Sequence, residues 1–278
     1  KVEASGSNSV AIGTMAEASG SSVWGVAIGY SSASMDFKGV ALGYGAQATA
    51  SSATAIGDIS KATGNDATAI GHSASATGVE SMAMGYEAKA SGSQATAIGK
   101  SSIASGNEAT AIGNSAEVHA GSASAFGNGA KVMDGGSSSI AIGNNAVVSS
   151  VNGSQIHNSI AIGTEAKAYN HDALAIGGYG TQATGAGSVA VGPNAKTYAD
   201  DTIAMGNDAQ ANAATATAIG KKATAATTNS VAIGTEATAY GSRNGSIAIG
   251  QKANAVDDSI AIGISASTGG GQANAIGN

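Results

Sequence analysis

Along the whole chain a bulky residue, an alanine, a second bulky apolar residue and a glycine recur in that order, as in Val231-Ala232-Ile233-Gly234. Aligned on the glycine there are nineteen copies, from Gly13 to Gly277, and twelve of the eighteen spacings between them are fourteen residues. Two residues before this marker glycine the side chain is Ala in every copy, and four before it always Ser, Ala, Gly or Thr. One residue before it stands Ile in most copies, otherwise Leu42, Met84, Phe126, Val191 or Met205. Side chains alternate between the two sides of a strand. The segment is therefore a strand with one small face and one bulky face, and an element with demands on both sides is covered on both.

After the glycine comes a second segment, as in Ala88-Lys89-Ala90 and Ala237-Thr238-Ala239, in which small residues alternate with Lys, Glu, Gln, Thr or Asn. One side of it faces water. Between the two segments lie Gly, Asn, Asp and Ser, the residue types that tolerate positive φ in tight turns. Period-two alternation with β-branched residues and a regular glycine favours strands over helix despite the alanine content. A repeat of fourteen residues is too short for helical-pair or leucine-rich repeats and differs from the eighteen of a three-sided roll. It suits one coil of a two-sided β-solenoid, with two strands of about five residues each and about two residues in each turn.

Turns that short force a thin interior, so the alanine face is placed inside, against small residues of the second strand such as Ala16 and Ala18. The isoleucine face then points outward. At about 4.8 Å per coil it makes an apolar stripe roughly 90 Å long, far beyond what a soluble monomer exposes. Methyl-sized interior groups return little against the entropy of ordering the chain, so the outer file is read as the seam of an oligomer. Three rolls round an axis enclose such a seam without leaving an edge, which favours a homotrimer over a dimer. The predicted trimer core is Ile12, Ile28, Ile56, Ile70, Ile98, Ile112, Ile142, Ile162, Ile176, Ile219, Ile233, Ile249 and Ile262. The opposite facing, with isoleucine inside and alanine between chains, remains open on the sequence alone.

The stretches Asn229 to Gly234 (NSVAIG), 158 to 163 (NSIAIG) and 9 to 13 (SVAIG), with the alternation that follows each, resemble the YadA-like head repeats of trimeric autotransporter adhesins. The likeness runs through the whole chain, 1 to 278, as a single head domain. It implies an all-β fold, a left-handed parallel β-roll with one strand per side in about nineteen coils, assembled as a homotrimer. It implies an adhesin head that attaches a bacterium multivalently to host cell-surface or extracellular matrix proteins, collagen-like ones among them. It further implies a place at the cell surface, attached to a Gram-negative outer membrane through parts this fragment does not contain. A structural spacer presenting another binding domain is the rival reading. The first residues already belong to the repeat, so the chain reads as an excised piece, without a signal peptide, neck, heptad stalk or barrel anchor.

Composition narrows the chemistry. The formal net charge is −6 and charged residues make up 11%, well spread, so nucleic acid and direct membrane contact are not the expected partners. There is no cysteine, which removes disulfides and thiolate metal sites. No nucleophile triad, G-x-S-x-G, phosphate loop or convergent carboxylate pair rises above the repeat, so no enzyme, cofactor or metal site is expected. A solenoid acyltransferase would show a six-residue subperiod. Ice binding is set aside because the outward file of the second strand, Glu17, Gln47, Lys61, Lys89, Glu117, Lys131 and Lys167, is mixed and charged.

Function added to a regular scaffold is looked for where the period breaks. The interval from Gly143 to Gly163 is twenty residues long, and those containing Trp24, Met133 and Arg243 are sixteen. Trp24, Asn152, His157, Tyr240 and Arg243 are the ligand-binding candidates, Trp24 and Arg243 being the only Trp and Arg in the chain and of types favoured at interaction hot spots. Tolerated surface insertion is the alternative reading of the same loops. The four histidines, His72, His119, His157 and His171, are assigned to different phases of the coil and hence to solvated positions. The aspartates Asp200, Asp201, Asp257 and Asp258 are assigned to plain turn chemistry. Tyr30, Tyr44 and Tyr86, each after a marker glycine, are assigned to packing at a turn or edge.

Overall fold

The computed structural model describes residues 1–19, 24–150 and 155–277. The chain forms two compact units, Lys1–Asp134 and Gly135–Asn278. Both are built from the same coil, and all strand pairings within each unit are parallel among the described residues. The fold is an all-β parallel β-solenoid of about nineteen coils, without helix among the described residues.

In each coil the segment before the marker glycine is a three-residue strand, such as Thr96–Ile98 or Ile160–Ile162, and the segment after it a two-residue strand, such as Lys89–Ala90 or Lys167–Ala168. Both are shorter than the five residues the alternation suggests. The balance goes into the turns, where the chain needs left-handed backbone that no extended residue supplies. Each regular turn has one residue near φ +55°, for example Asp66 and Ser73 or Asp201 and Asp208, and closes with an i to i+3 bond, as Ala67 N to Gly64 O at 3.2 Å. Asp, Asn, Ser and Gly dominate these positions because a short polar side chain, or none, tolerates that conformation.

Register is set by composition. Ala97 stands opposite Ala83 and Ala111, and Ile98 opposite Met84 and Ile112, so alanine stacks on alanine and large apolar side chain on large apolar side chain. The hydrogen-bond ladder continues through the turns, with Ser73 N bonding Asp58 O and Glu87 N bonding His72 O, which leaves few backbone groups unpaired within a stack.

The core is made of columns of small side chains. Ala55, Ala69 and Ala97 of the longer strand and Ala53, Ala67 and Ala95 just before it are fully buried, as are Ala48, Ala62 and Ala90 of the shorter one, and the second unit repeats this with Ala161, Ala175 and Ala168. Where Ser replaces Ala inside, its hydroxyl closes on a carbonyl of its own turn, as Ser81 Oγ to Gly78 O at 2.7 Å and Ser188 Oγ to Gly185 O at 2.7 Å. A buried hydroxyl is thereby satisfied without a partner side chain. The largest buried aliphatics are Ile156, Val118, Val132 and Val148. An interior this thin has no room for a longer side chain in the central columns. Replacing Ala97 with Leu should destabilise the first unit by about 1–3 kcal/mol through overpacking, read from the shift of the urea midpoint.

The isoleucines before the marker glycines lie on the opposite, outward side. Ile28, Ile142, Ile176, Ile233, Ile249 and Ile262 are exposed, and Ile56, Ile70, Ile98, Ile112, Ile162 and Ile219 half-buried. Alanine inside and isoleucine outside is thus the arrangement of the single chain, and the inverse facing does not occur.

Candidate functional site

The features outside the bare scaffold are a broad apolar face, an aromatic edge and the off-period loops. The apolar face carries two files, the residue one before and the residue three before each marker glycine. In the second unit the files read Ile160 and Ile162, Leu174 and Ile176, Val189 and Val191, Ile203 and Met205. Much of the first unit has Thr in the outer file, at Thr54, Thr68, Thr96 and Thr110. Each coil therefore adds one or two apolar groups to the face within its unit.

One edge of the first unit carries stacked rings directly after the marker glycines. Tyr30 and Tyr44 lie parallel, 5.3 Å between centroids and 8° between planes, and His72 and Tyr86 repeat this at 5.0 Å and 7°. The Lys100 ammonium lies 5.9 Å from the Tyr86 ring. These spacings follow from the roughly 4.8 Å separation of paired strands, which brings any two rings in successive coils into offset stacking. At the other turn, Lys38 sits 5.6 Å from the Trp24 ring and 4.9 Å from that of Phe37, the arrangement of a cation over aromatic faces. Trp24 is 54% exposed and takes φ +68°. On the water-facing file of the shorter strands, Lys131 Nζ donates to Glu117 Oε1 at 2.9 Å, one coil away.

His157 is exposed and its ring lies 5.6 Å from that of His171, one coil on, at a 38° tilt. The assignment of the histidines to different phases is therefore corrected for this pair. Both stand six residues before a marker glycine, because the six extra residues of that interval lie wholly upstream of His157. Two imidazoles alone make a poor cation site, and no group of three His, Asp or Glu converges among the described residues. The same segment forms a structure without counterpart in the repeat, a parallel pair of Gly136–Ser137 with Ile156–His157. The Ser139 hydroxyl accepts from Ser159 N at 3.1 Å beside it. The only sequence signal for it was an apolar Ile156 inside a polar insertion. Asn152 lies outside the described residues.

Tyr240 and Arg243 are brought into one loop. Tyr240 ends the strand Thr238–Tyr240 with its ring exposed, and Arg243 projects from the turn beyond it. The loop is anchored by Asp257 of the next coil, whose Oδ1 accepts from Ser242 N at 2.5 Å and Arg243 N at 3.1 Å. These two backbone donors hold the Asp257 carboxyl below its ordinary range. A depressed carboxylate contributes its stabilisation above the unfolded-state pKa and loses it as pH falls through the folded one. Acidification below the usual carboxylate range should therefore free the Ser242 and Arg243 amides before the stack unfolds, seen as a loss of exchange protection, relative to the intrinsic rate at each pH, confined to those positions. Protection at these two amides that does not change with pH would show the anchor to be immaterial.

The family model for the YadA head domain repeat matches residues 4–22, 38–58, 50–74, 62–88, 76–102, 157–179, 183–209 and 211–237, which together exceed half of the chain. The chain belongs to the YadA head-repeat family. Among solved structures, the collagen-binding domain of the Yersinia adhesin YadA is similar to this head-repeat chain at 20% identity, over 78% of this chain and 69% of that one, with a TM-score of 0.20. No curated protein matches the chain. The matched segments lie in both units and include His157 but not Trp24, Asn152 or the loop of Tyr240 and Arg243, so the family likeness describes mainly the scaffold.

Proposed function

We propose that residues 1 to 278 form one head domain of a homotrimeric bacterial adhesin, displayed at the cell surface of a Gram-negative outer membrane, and that it attaches the cell multivalently to host matrix or cell-surface proteins. The observation that carries this reading is the apolar face. Thirteen isoleucines selected for the seam, from Ile12 to Ile262, all lie on the outward side of the coils, exposed or half-buried. Burying one such side chain fully yields roughly 1.5–3 kcal/mol, while the alanine columns inside leave a single roll only thinly stabilised. Membership of the head-repeat family supports the adhesin reading, and the collagen binding named for the Yersinia domain suggests a collagen-like partner. Nothing in the coil suggests catalysis.

Three copies of many near-equivalent coils would turn a weak contact into firm attachment through effective concentration. Trp24, His157, Tyr240 and Arg243 are exposed on off-period segments and, with Asn152, are the side chains we assign to contact. The test is a panel of immobilised collagens and other matrix proteins, probed with the chain as purified. Saturable binding to one of them is expected, weakened at least about tenfold when Trp24, Tyr240 and Arg243 are replaced together by Ala. Absence of binding to every matrix protein would favour the spacer role instead.

A further inference from the structure

One chemical signature in the chain is unused by the scaffold. An asparagine followed two residues later by Ser or Thr, with no intervening proline, is the acceptor sequence for an N-linked sugar. Only Asn152-Gly153-Ser154 and Asn244-Gly245-Ser246 satisfy it, and both lie in lengthened intervals. Asn65 and Asn107 occupy the same column as Asn244, six residues before a marker glycine, but are followed by Ala67 and Ala109 in place of the serine. Asn152 lies outside the described residues and Asn244 within them.

We propose that Asn244 is a glycosylation site, taking a sugar from an activated glycosyl donor. The side chain of Asn244 is exposed and makes no hydrogen bond with any described residue. The backbone around it is tied down, with the Ser242 and Arg243 amides on Asp257 Oδ1 and Gly245 N on Thr228 O at 2.9 Å. Two asparagines of the same unit are spent on the stack itself. Asn158 Nδ2 donates to Asp172 Oδ1 at 3.3 Å and Asn194 Nδ2 to Asp208 Oδ1 at 2.6 Å, each one coil away. A sugar is wider than the roughly 4.8 Å between coils, so a residue whose amide is free of the ladder can carry one and a residue bound into it cannot.

In the transfer, the Asn244 amide nitrogen attacks the anomeric carbon of the donor. The nitrogen–carbon bond forms as the bond from that carbon to the donor's phosphate oxygen breaks. The phosphate leaves with the electron pair and the amide gives up one proton to a base of the transferase, so nothing is oxidised or reduced. The donor is either a nucleotide-activated hexose or an oligosaccharide on a lipid pyrophosphate. The Ser246 hydroxyl that a transferase reads is buried, 3.4 Å from Tyr240 O, so modification precedes closure of this coil and the fold then presents the sugar outward.

The test is peptide mass spectrometry on the full chain isolated from the cells that make it. The Asn244 peptide should gain single hexose masses if the donor is a nucleotide sugar, or one oligosaccharide block if it is lipid-borne. Ser246→Ala should abolish the gain while leaving the fold intact, since Ala53, Ala67 and Ala95 occupy that column elsewhere. Ser246→Thr should retain it, since Thr202 also stands in the column. An unmodified Asn244 in the wild-type chain, or a mass gain that survives Ser246→Ala, overturns the proposal. Neither readout depends on attachment to matrix proteins, so the result is independent of the adhesin reading.

Discussion

Replacing Ile162, Ile176 and Ile233 together by Asp should turn the proposed trimer into folded monomers. These side chains lie outward on strands whose inward alanines, Ala161, Ala175 and Ala232, are fully buried, so the coil does not need them for its own core. In the single chain Ile176 and Ile233 are 37% and 36% exposed, and a change to Asp there costs the isolated roll little. In the proposed trimer each substitution removes three buried aliphatic groups, at roughly 1.5–3 kcal/mol apiece, and sets three carboxylates facing one another in a dry seam. Sedimentation equilibrium should report one third of the wild-type mass, with the β-sheet circular dichroism retained. Asp at Thr224, on the water-facing file of the shorter strands, should leave the mass unchanged. A wild-type protein that sediments as a monomer, or a triple variant that remains trimeric, would remove the physical basis of the functional reading.

Gly163→Ala should destabilise the second unit by about 4 kcal/mol or more, a loss reserved for severe backbone conflicts. The backbone at Gly163 takes φ +123°, a region that L-residues rarely enter. A Cβ built there would stand 1.8 Å from the carbonyl oxygen of Gly177, with the rest of that peptide behind it. Nothing flexible can yield, because the obstruction is the next coil's backbone. Gly45→Ala is the control, with φ +60° and open space around the added carbon, and should cost only the roughly 1–2 kcal/mol of an ordinary residue in left-handed backbone. Thermal or urea midpoints for the two variants should differ widely. Equal and small losses would mean that the coils separate easily enough to admit a methyl group, contrary to the close stacking described.

Much of this was legible in the residues because a solenoid writes its long-range contacts as a short period. Ala97 meets Ala83 and Ala111, fourteen residues away on either side, so a column read from the sequence is already a list of neighbours in space. The small and bulky faces, the parallel strands, the turns rich in Asp, Asn and Ser, and the glycine at every coil corner follow from that correspondence. The same logic failed wherever the phase was lost. His157 and His171 share a column that six extra residues hide in the spacing, and nothing in the spacing announces the pairing of Gly136–Ser137 with Ile156–His157. The strands are shorter than the pattern suggests, since alternation continues into residues whose backbone has already turned.

The sequence alone therefore determined the coil, its register and the existence of two unlike faces, because identical neighbours stacked at one strand spacing leave a regular polypeptide few other ways to satisfy its backbone. Only the tertiary structure decided that alanine is the inward face, that Asp257 holds the loop carrying Tyr240, Arg243 and Asn244, and that His157 lies over His171. Those outcomes depend on how thin the roll is and on contacts between segments that share no period, and neither quantity is carried by a residue's place in the repeat.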